Sequence, residues 1–147
     1  MKKLLLTVAL CLAAVALNAQ NDKADNIIGK YEAEEGMDAY RVNITKSPDG
    51  TYKAQIYWVA DPLDKNGNIS RDTKNPDKSL RNTPMDKVVL FTGLKYNPEK
   101  KNWSGTKIYD PNRGIKVALT ASFDGPNNLK LKGTVLGIGE TVVWRRL

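Results

Sequence analysis

The most regular segment of the chain, residues 115–123, alternates with a period of two. One set of positions is apolar throughout: Ile115, Val117, Leu119, Ala121 and Phe123. The intervening positions are small or polar: Lys116, Ala118, Thr120 and Ser122. A period of two places the two sets on opposite faces of a β-strand. This segment therefore predicts a strand with one face in a hydrophobic core and the other in water.

The same period recurs along the chain, and short turns separate the alternating segments. The turn at 47–50 reads Ser-Pro-Asp-Gly, in which Pro sets one φ angle and Gly tolerates a positive one. The predicted strands are 27–31, 40–45, 52–58, 87–94, 103–109, 115–123, 129–132 and 140–146. Eight strands joined mostly by hairpin turns predict an all-β, antiparallel up-and-down barrel. A two-sheet β-sandwich is the alternative, because periodicity does not separate the two.

One long polar segment, residues 61–86, interrupts the alternation. It is rich in Asn, Asp, Pro, Lys and Ser, and loops of this length in compact domains are often functional. Asp64, Asn66 and Asn68 have the first ligand spacing of a calcium loop. However, Ile69 stands where that loop needs glycine, and Asn75 stands where it needs a bidentate glutamate. We therefore predict a long loop on a barrel, without a metal site.

The first residues have the organisation of a secretory signal. Lys2 and Lys3 precede an apolar run, residues 4–17, and Ala19 offers a small-residue cleavage point. The apolar run is shorter than the roughly 20 residues that a spanning helix needs. We predict a signal peptide at 1–19 and a single domain at 20–147, with no transmembrane segment after cleavage. The protein is predicted to be exported, either to the periplasm or as a secreted protein.

Composition narrows the chemistry. The chain contains no histidine, and its one cysteine, Cys11, lies in the predicted signal peptide. Histidine triads, imidazole metal sites and thiol chemistry are therefore excluded from the mature chain. We predict that the protein is not an enzyme and has no cofactor. The net charge of +7 could favour contact with anionic lipid or polysaccharide, or could be ordinary surface lysine. Nucleic acid is not predicted as a partner.

Several motifs together carry a family resemblance. They are Gly29-Lys-Tyr31, Asn75-Pro-Asp-Lys-Ser-Leu-Arg81, Lys107-Ile-Tyr-Asp-Pro111 with Gly114, and Trp144 with Arg146. In order and spacing the chain resembles the bacterial domain-of-unknown-function family 2147, a family of small exported proteins. The resemblance implies a lipocalin-like, calycin-type barrel and no known catalytic residue. It also implies that an inward Arg of the last strand packs on Tyr31, where the family usually has Trp.

Three candidate ligand-binding residues are polar. Tyr109 and Asp110 could fix a polar group of a ligand at the barrel rim, although an Asp before Pro111 is also a common turn opener. Arg81 could place its guanidinium over the barrel mouth for a carboxylate or phosphate. The alternative for Arg81 is an ion pair with Asp77 or Asp110 that holds the loop in place.

The other two candidates are aromatic. Trp58 and Trp103, like Trp144, are predicted to line the barrel and would contact a ligand if the barrel is hollow. The first functional hypothesis is that a small apolar or amphipathic ligand binds in the barrel, with residues 61–86 as a lid. The alternative is a non-enzymatic structural or interaction protein of the cell envelope, with a packed barrel.

Overall fold

The computed structural model describes residues 19–34, 36–135 and 137–147. Except for Ala19, the predicted signal peptide lies outside these ranges. The strands are β1 (Gly29–Ala33), β2 (Tyr40–Lys46), β3 (Tyr52–Val59), β4 (Val89–Asn97), β5 (Asn102–Asp110), β6 (Ile115–Asp124), β7 (Asn128–Val135) and β8 (Ile138–Arg146). Short 3-10 helices occupy Ala19–Asn21, Ala24–Ile27, Gly36–Asp38, Lys78–Leu80 and Met85–Lys87. Within the described ranges, no helix combines the length and apolar character needed to cross a bilayer.

The eight strands form one closed barrel in sequential order, with every neighbouring pair antiparallel. The predicted barrel is confirmed and the sandwich alternative is excluded. Consecutive strands run in opposite directions, so the β1–β2, β3–β4, β5–β6 and β7–β8 connections lie at one end, which we call the upper end. The remaining connections lie at the lower end.

The long connection between β3 and β4, residues 61–86, has structure of its own. Leu63 pairs with Ile69, and Arg71 pairs with Pro84, in two isolated antiparallel bridges. Two of the 3-10 helices also begin in this segment. Asp64 Oδ1 accepts the backbone N–H groups of Asn66 and Asn68, which forms a tight turn in this segment. We call residues 61–86 the strap.

The N-terminal segment closes the lower end of the barrel. Trp103 Nε1 donates to Ala24 O at 3.0 Å, and the Tyr96 hydroxyl donates to Asn21 O at 2.6 Å. The Tyr31 hydroxyl donates to Ile27 O at 2.8 Å. These side-chain hydrogen bonds satisfy backbone carbonyls of a segment that forms no sheet. They hold the segment against the barrel floor, where Ile27 is fully buried.

The last strand meets the first beside this floor. The Arg146 guanidinium lies 5.2 Å from the centre of the Tyr31 ring and also donates to backbone carbonyls of Asn26 and Ile28. Trp144 lies 6.4 Å from Tyr31, measured between ring centres. The arrangement implied by the family resemblance, in which an Arg of the last strand packs on Tyr31, is confirmed.

Aromatic rings fill the middle of the lumen. Trp144 stacks on Phe91 at 6.3 Å between ring centres, and Tyr40 meets the Trp144 ring edge-on at 6.5 Å. Lower in the barrel, Trp103 packs against Tyr96 at 5.0 Å. Both tryptophans are fully buried. Any space for another molecule therefore lies above Trp144, toward the upper end.

Candidate functional site

Strand pairing around the closed barrel is shortest between β8 and β1. β8 pairs with β7 through eight residue pairs, but with β1 only through Tyr31↔Arg146 and Glu32↔Arg145. β1 ends at Ala33, where the chain turns away through the 3-10 helix Gly36–Asp38. Within the described part of the chain, residues 138–143 of β8 consequently have no β1 partner. Among the described residues, the seam between β1 and β8 has no strand pairs above Arg145, and we call this part the open seam.

The register of β8 shows which of its side chains point into the barrel. Residues paired across antiparallel strands project to the same face. Val142 pairs with the core residue Leu131, and Ile138 lies four pairs further up on the same face. Nevertheless, Val142 is 38% exposed and Ile138 is 74% exposed. On β6, Ile115 follows the buried alternation of that strand and is 37% exposed. Inward-facing apolar side chains therefore meet solvent here.

Three ionic side chains border these apolar groups. Asp110 and Glu140 point inward, because they pair with Ile115 and Gly133. Arg113 joins them: its Nε lies 2.6 Å from Asp110 Oδ2, and its Nη2 lies 2.7 Å from Glu140 Oε2. These hydrogen bonds raise the pKa of Arg113, and the bond to Asp110 has the largest effect. We use the name upper mouth for the group of Ile115, Ile138, Val142, Asp110, Arg113 and Glu140.

Tyr40 adds a hydroxyl below the upper mouth. Its oxygen accepts a 3.2 Å hydrogen bond from Trp144 Nε1. Burial raises the pKa of Tyr40, and the negative charges of Glu34 and Asp110 act in the same direction. The phenol is therefore protonated at neutral pH. Among the described residues it forms no hydrogen bond as a donor, so its hydrogen is available to a molecule in the mouth.

Asp110 also opens the β5–β6 turn. Its Oδ1 accepts the backbone N–H groups of Asn112 at 2.9 Å and Arg113 at 3.3 Å. This is the Asx turn that the Asp-Pro pair predicts. The turn-forming role of Asp110 is confirmed, and its contact with a ligand stays a prediction. One carboxylate oxygen holds the turn while the other faces Arg113, which fixes the polar rim of the mouth.

Tyr109 faces the opposite way from Asp110. It pairs with Lys116 on the exposed face of β6, so its ring lies on the outer wall. The ring is nevertheless buried. The Tyr109 hydroxyl donates to Oδ1 of the buried Asp72 at 2.6 Å, and Asn75 Nδ2 donates to the other carboxylate oxygen at 2.7 Å. This buried polar cluster, Tyr109–Asp72–Asn75, attaches the strap to the barrel.

Further contacts hold the same part of the strap against the β5–β6 turn. Lys74 Nζ donates to Asn112 O at 2.7 Å. Gly114 has a φ of +66°, and a Cβ at this position would overlap the backbone carbonyl of Lys74. Only glycine fits both the turn and the close approach. Residues 72–75 thus lie on the outer wall, and the expectation that 61–86 forms a lid over the mouth is wrong for this part.

Arg81 belongs to the strap and contributes to its internal structure. Its side chain is exposed, and its Nε donates to Asn75 O at 2.7 Å. The predicted ion pair of Arg81 with Asp77 or Asp110 is not among the salt bridges of the described residues. Asp77 instead caps the 3-10 helix Lys78–Leu80 by accepting from Ser79. A ligand-binding role for Arg81 stays a prediction.

The two candidate tryptophans have different surroundings. Trp103 lies in the core of the lower half, as predicted. Trp58 pairs with Arg41 on the outer face, and the Arg41 guanidinium lies 4.5 Å from the centre of its ring. The prediction that Trp58 lines the barrel is therefore wrong. A bulge beside the Arg41 pair shifts the alternation of β3, and a bulge of one residue moves the following side chain to the other face.

The five predicted site residues do not converge in one place. Asp110 is the member that contributes to the upper mouth, whereas the apolar lining comes from residues not selected from the sequence. The signal for part of that lining was present, because the β8 alternation puts Ile138, Glu140, Val142 and Trp144 on one face. Within the described ranges, no group of three or more His, Cys, Asp or Glu residues is placed to hold a metal ion.

Two depressions lie elsewhere on the surface. One, of about 460 Å³, is bordered by Lys95, Tyr96, Pro98 and Gly105 at the β4–β5 hairpin. The other, of about 320 Å³, lies between the end of β3 at Val59 and the strap; its strap lining includes Pro62, Ile69, Pro84 and Met85. Neither includes a residue of the upper mouth.

Tyr109 gives a pH-dependent prediction for the strap attachment. Burial, and then the hydrogen bond and charge of Asp72, raise the pKa of Tyr109 above the ordinary value of 10.0. The protonated Tyr109 hydroxyl therefore stabilises the folded protein fully below pH 10. This stabilisation is lost as the pH rises above 10 toward the pKa that Tyr109 has in the folded state. We expect the stability advantage of wild type over Tyr109→Phe to shrink by up to about 1.4 kcal/mol per pH unit there. Urea unfolding at pH 8 to 11 measures this; a constant difference would contradict it.

Comparisons with known proteins agree with the barrel. The family described as "Uncharacterized protein conserved in bacteria (DUF2147)" matches residues 29–146. A solved structure, described as "Protein HP1028 from the human pathogen Helicobacter pylori belongs to the lipocalin family", has a TM-score of 0.66 and 25% identity, with 82% of each chain covered. No curated protein matches. The chain belongs to the DUF2147 family of bacterial proteins and has a lipocalin-like fold.

Proposed function

We propose that this is an exported binding protein that holds a small apolar or amphipathic molecule at the upper mouth of the barrel. The observation that carries the proposal is the exposure of inward-facing side chains on β8. Val142 and Ile138 belong to the core face of the strand but remain exposed to solvent. Apolar side chains on a concave face with few convergent polar groups are typical of ligand sites in the mouths of β-barrels.

The filled lumen limits where the molecule lies. Trp144, stacked on Phe91 and bonded to Tyr40, forms the floor of the mouth. The apolar part of the ligand contacts Val142 and Ile115 above this floor. Burying about 200 Å² of apolar surface at roughly 25 cal/mol/Å² contributes about 5 kcal/mol, from which the cost of immobilising the ligand is subtracted.

The polar part of the ligand meets the rim. Asp110 and Glu140 supply two carboxylates against the one guanidinium of Arg113. The Tyr40 hydroxyl supplies a hydrogen-bond donor. An apolar body with a hydroxyl, amine or other polar end therefore matches the rim better than a purely aliphatic chain. Export is supported by the organisation of residues 1–19, and no step of the proposal uses a catalytic group.

Val142→Lys is expected to weaken binding of a neutral fluorescent probe, N-phenyl-1-naphthylamine, at least tenfold. The new ammonium group would occupy the apolar mouth and resist burial. The matched control is Val143→Lys on the outward face of the same strand, opposite Lys130, which is expected to change the affinity less than about twofold. Fluorescence titration of the full chain measures both affinities. Residues 1–19 are the same in all variants, so any probe that binds to them does not affect the comparison.

Two results would reject the mouth as the binding site. In the first, the wild-type chain shows no saturable probe binding beyond the binding that Val142→Lys also shows. The other is an equal loss of affinity in Val143→Lys and Val142→Lys. Urea midpoints of both variants within about 0.3 M of wild type would show that the barrel is retained.

The packed lumen supports a second candidate, a structural or interaction protein of the cell envelope. Fully buried rings at Trp103 and Trp144 occupy the space that a deep ligand would need. Native mass spectrometry of protein isolated from the cell envelope separates the candidates. A bound small molecule supports the binding protein. Empty barrels recovered with a stoichiometric protein partner support the second candidate.

A further inference from the structure

Lysines that are dispersed in the sequence gather on one side of the barrel. Lys107 belongs to β5, Lys116 to β6, and Lys130 and Lys132 to β7. Their pairing partners are outward residues of β6 or, for Lys116, the outward Tyr109. All four side chains therefore project from the outer wall, and all four are exposed. We call them the basic wall.

The strands between these lysines carry few acidic groups, and the strap packs on the same wall over Tyr109, beside Lys116. The outward positions around them are small: Ala118, Thr120, Ser122, Thr134 and Thr141. Among the described outward residues of β5 to β8, the one carboxylate is Asp124, at the lower end, 3.9 Å from Lys130. The other two carboxylates of these strands, Asp110 and Glu140, point inward and bind Arg113. Four ammonium groups thus project from strands whose other outward side chains are mostly small, beside the edge of the strap.

The neighbouring edge of this wall is apolar. Val143 projects outward from β8 beside Lys130 and is 47% exposed. Ile138, at the start of the same strand, points into the upper mouth and not outward, and it is 74% exposed where the wall meets the mouth. Lysines beside exposed aliphatic side chains are typical of surfaces that lie at the boundary of headgroups and acyl chains. The basic wall and the open edge of β8 are continuous.

We infer that the basic wall docks on the surface of a lipid bilayer that contains anionic lipids. Soluble anionic polymers fit it less well: sugars and bases are usually held by stacking on aromatic rings, and Tyr109, the aromatic residue on the outer face here, lies beneath the strap. Four ammonium groups that project from one side of the barrel match a plane of headgroup charge. This inference is independent of the proposed ligand. If both hold, docking brings the upper mouth next to lipid.

The test is co-sedimentation of the full chain with two kinds of vesicle: phosphatidylcholine alone, and phosphatidylcholine with 30% phosphatidylglycerol. The readout is the ratio of the two partition coefficients. Any lipid affinity of residues 1–19 is the same in all variants, so the comparison between variants isolates the wall. A lysine near an anionic surface contributes about fivefold to binding. We therefore expect Lys130→Glu with Lys132→Glu to lower the ratio at least about 25-fold.

The matched control reverses two lysines on the other side of the barrel, Lys53 of β3 and Lys95 of β4. Lys53→Glu with Lys95→Glu makes the same change in net charge and is expected to alter the ratio no more than about threefold. Vesicle binding should also slow the hydrogen exchange of backbone amides in residues 138–143, while the exchange rates in residues 52–57 stay the same. The inference is overturned by a ratio near one for wild type, by equal losses in the two double variants, or by binding to heparin or DNA but not to vesicles.

Discussion

Trp103→Ala is expected to lower the free energy of unfolding by about 4 kcal/mol, whereas Trp58→Ala is expected to lower it by less than about 1 kcal/mol. Both replacements remove the same side chain from a strand of the same barrel. Trp103 is fully buried, and Trp58 is 37% exposed on the outer wall. The contrast isolates the effect of burial, because large-to-small changes cost most where surrounding atoms cannot fill the vacated space.

The contacts of Trp103 explain the size of its expected effect. Its ring lies 5.8 Å from that of Phe123 in an edge-on arrangement and 5.0 Å from that of Tyr96. Its Nε1 also donates to Ala24 O. Alanine would leave a cavity between the two rings and an unpaired carbonyl beneath the barrel floor. The N-terminal segment should therefore become less protected as the core loosens.

Urea unfolding, followed by circular dichroism, measures both tryptophan effects. Trp103→Phe provides a control that retains an aromatic ring but removes the N–H donor, and its cost should fall between those of the two alanine variants. Equal costs for Trp103→Ala and Trp58→Ala would contradict the assignment of one residue to the core and the other to the outer wall.

The barrel could be predicted because its main signal is local. Alternation on β6 is read directly from neighbouring residues, and each short turn contains its own Pro, Gly, Asn or Asp. Up-and-down topology adds no long-range information, since every strand pairs with its sequence neighbours until the ring closes. The family motifs favoured a barrel over a sandwich, and the packing of Arg146 on Tyr31 is the detail of that resemblance that the structure reproduces.

The site was harder to predict because bulges reverse the alternation. In β5, the register shifts between Trp103 and Thr106, where Gly105 has a φ of +88°. Past that shift, Asp110 faces inward and Tyr109 faces outward. A strict period of two starting from the inward Trp103 would give the reverse. The predicted pair of Tyr109 and Asp110 is consequently divided between the strap attachment and the upper mouth.

The open seam and the basic wall depend on contacts between distant parts of the chain. Whether Val142 is covered depends on where β1 ends, which the β8 sequence does not encode. Likewise, Lys107 and Lys132 lie 25 positions apart in the sequence. They become neighbours on a face because β5, β6 and β7 align their outward positions. The net charge of +7 therefore indicated that part of the surface is positively charged, but not where on the barrel that part lies.

Asp72→Ala is expected to lower the free energy of unfolding by about 3 kcal/mol. Asp72 is fully buried, and its two carboxylate oxygens accept from Tyr109 and Asn75. Removing the carboxylate leaves two buried donors without acceptors, and each unsatisfied group costs about 1–3 kcal/mol. The strap should detach from the outer wall, so that amide exchange in residues 71–83 accelerates more than exchange in the barrel strands.

Two further variants distinguish the hydrogen-bonded cluster from simple packing. Tyr109→Phe keeps the ring and removes one donor, so it should cost about 1.5 kcal/mol, and its effect should largely vanish in the Asp72→Ala background. Asp72→Asn keeps the shape of the side chain, but its NH2 group must face either the Tyr109 hydroxyl or the NH2 group of Asn75, and of these two only the hydroxyl can accept a hydrogen bond. It should therefore cost less than Asp72→Ala.

Additive effects of Tyr109→Phe and Asp72→Ala in urea unfolding would show that the two side chains stabilise the strap independently, which the 2.6 Å hydrogen bond between them argues against.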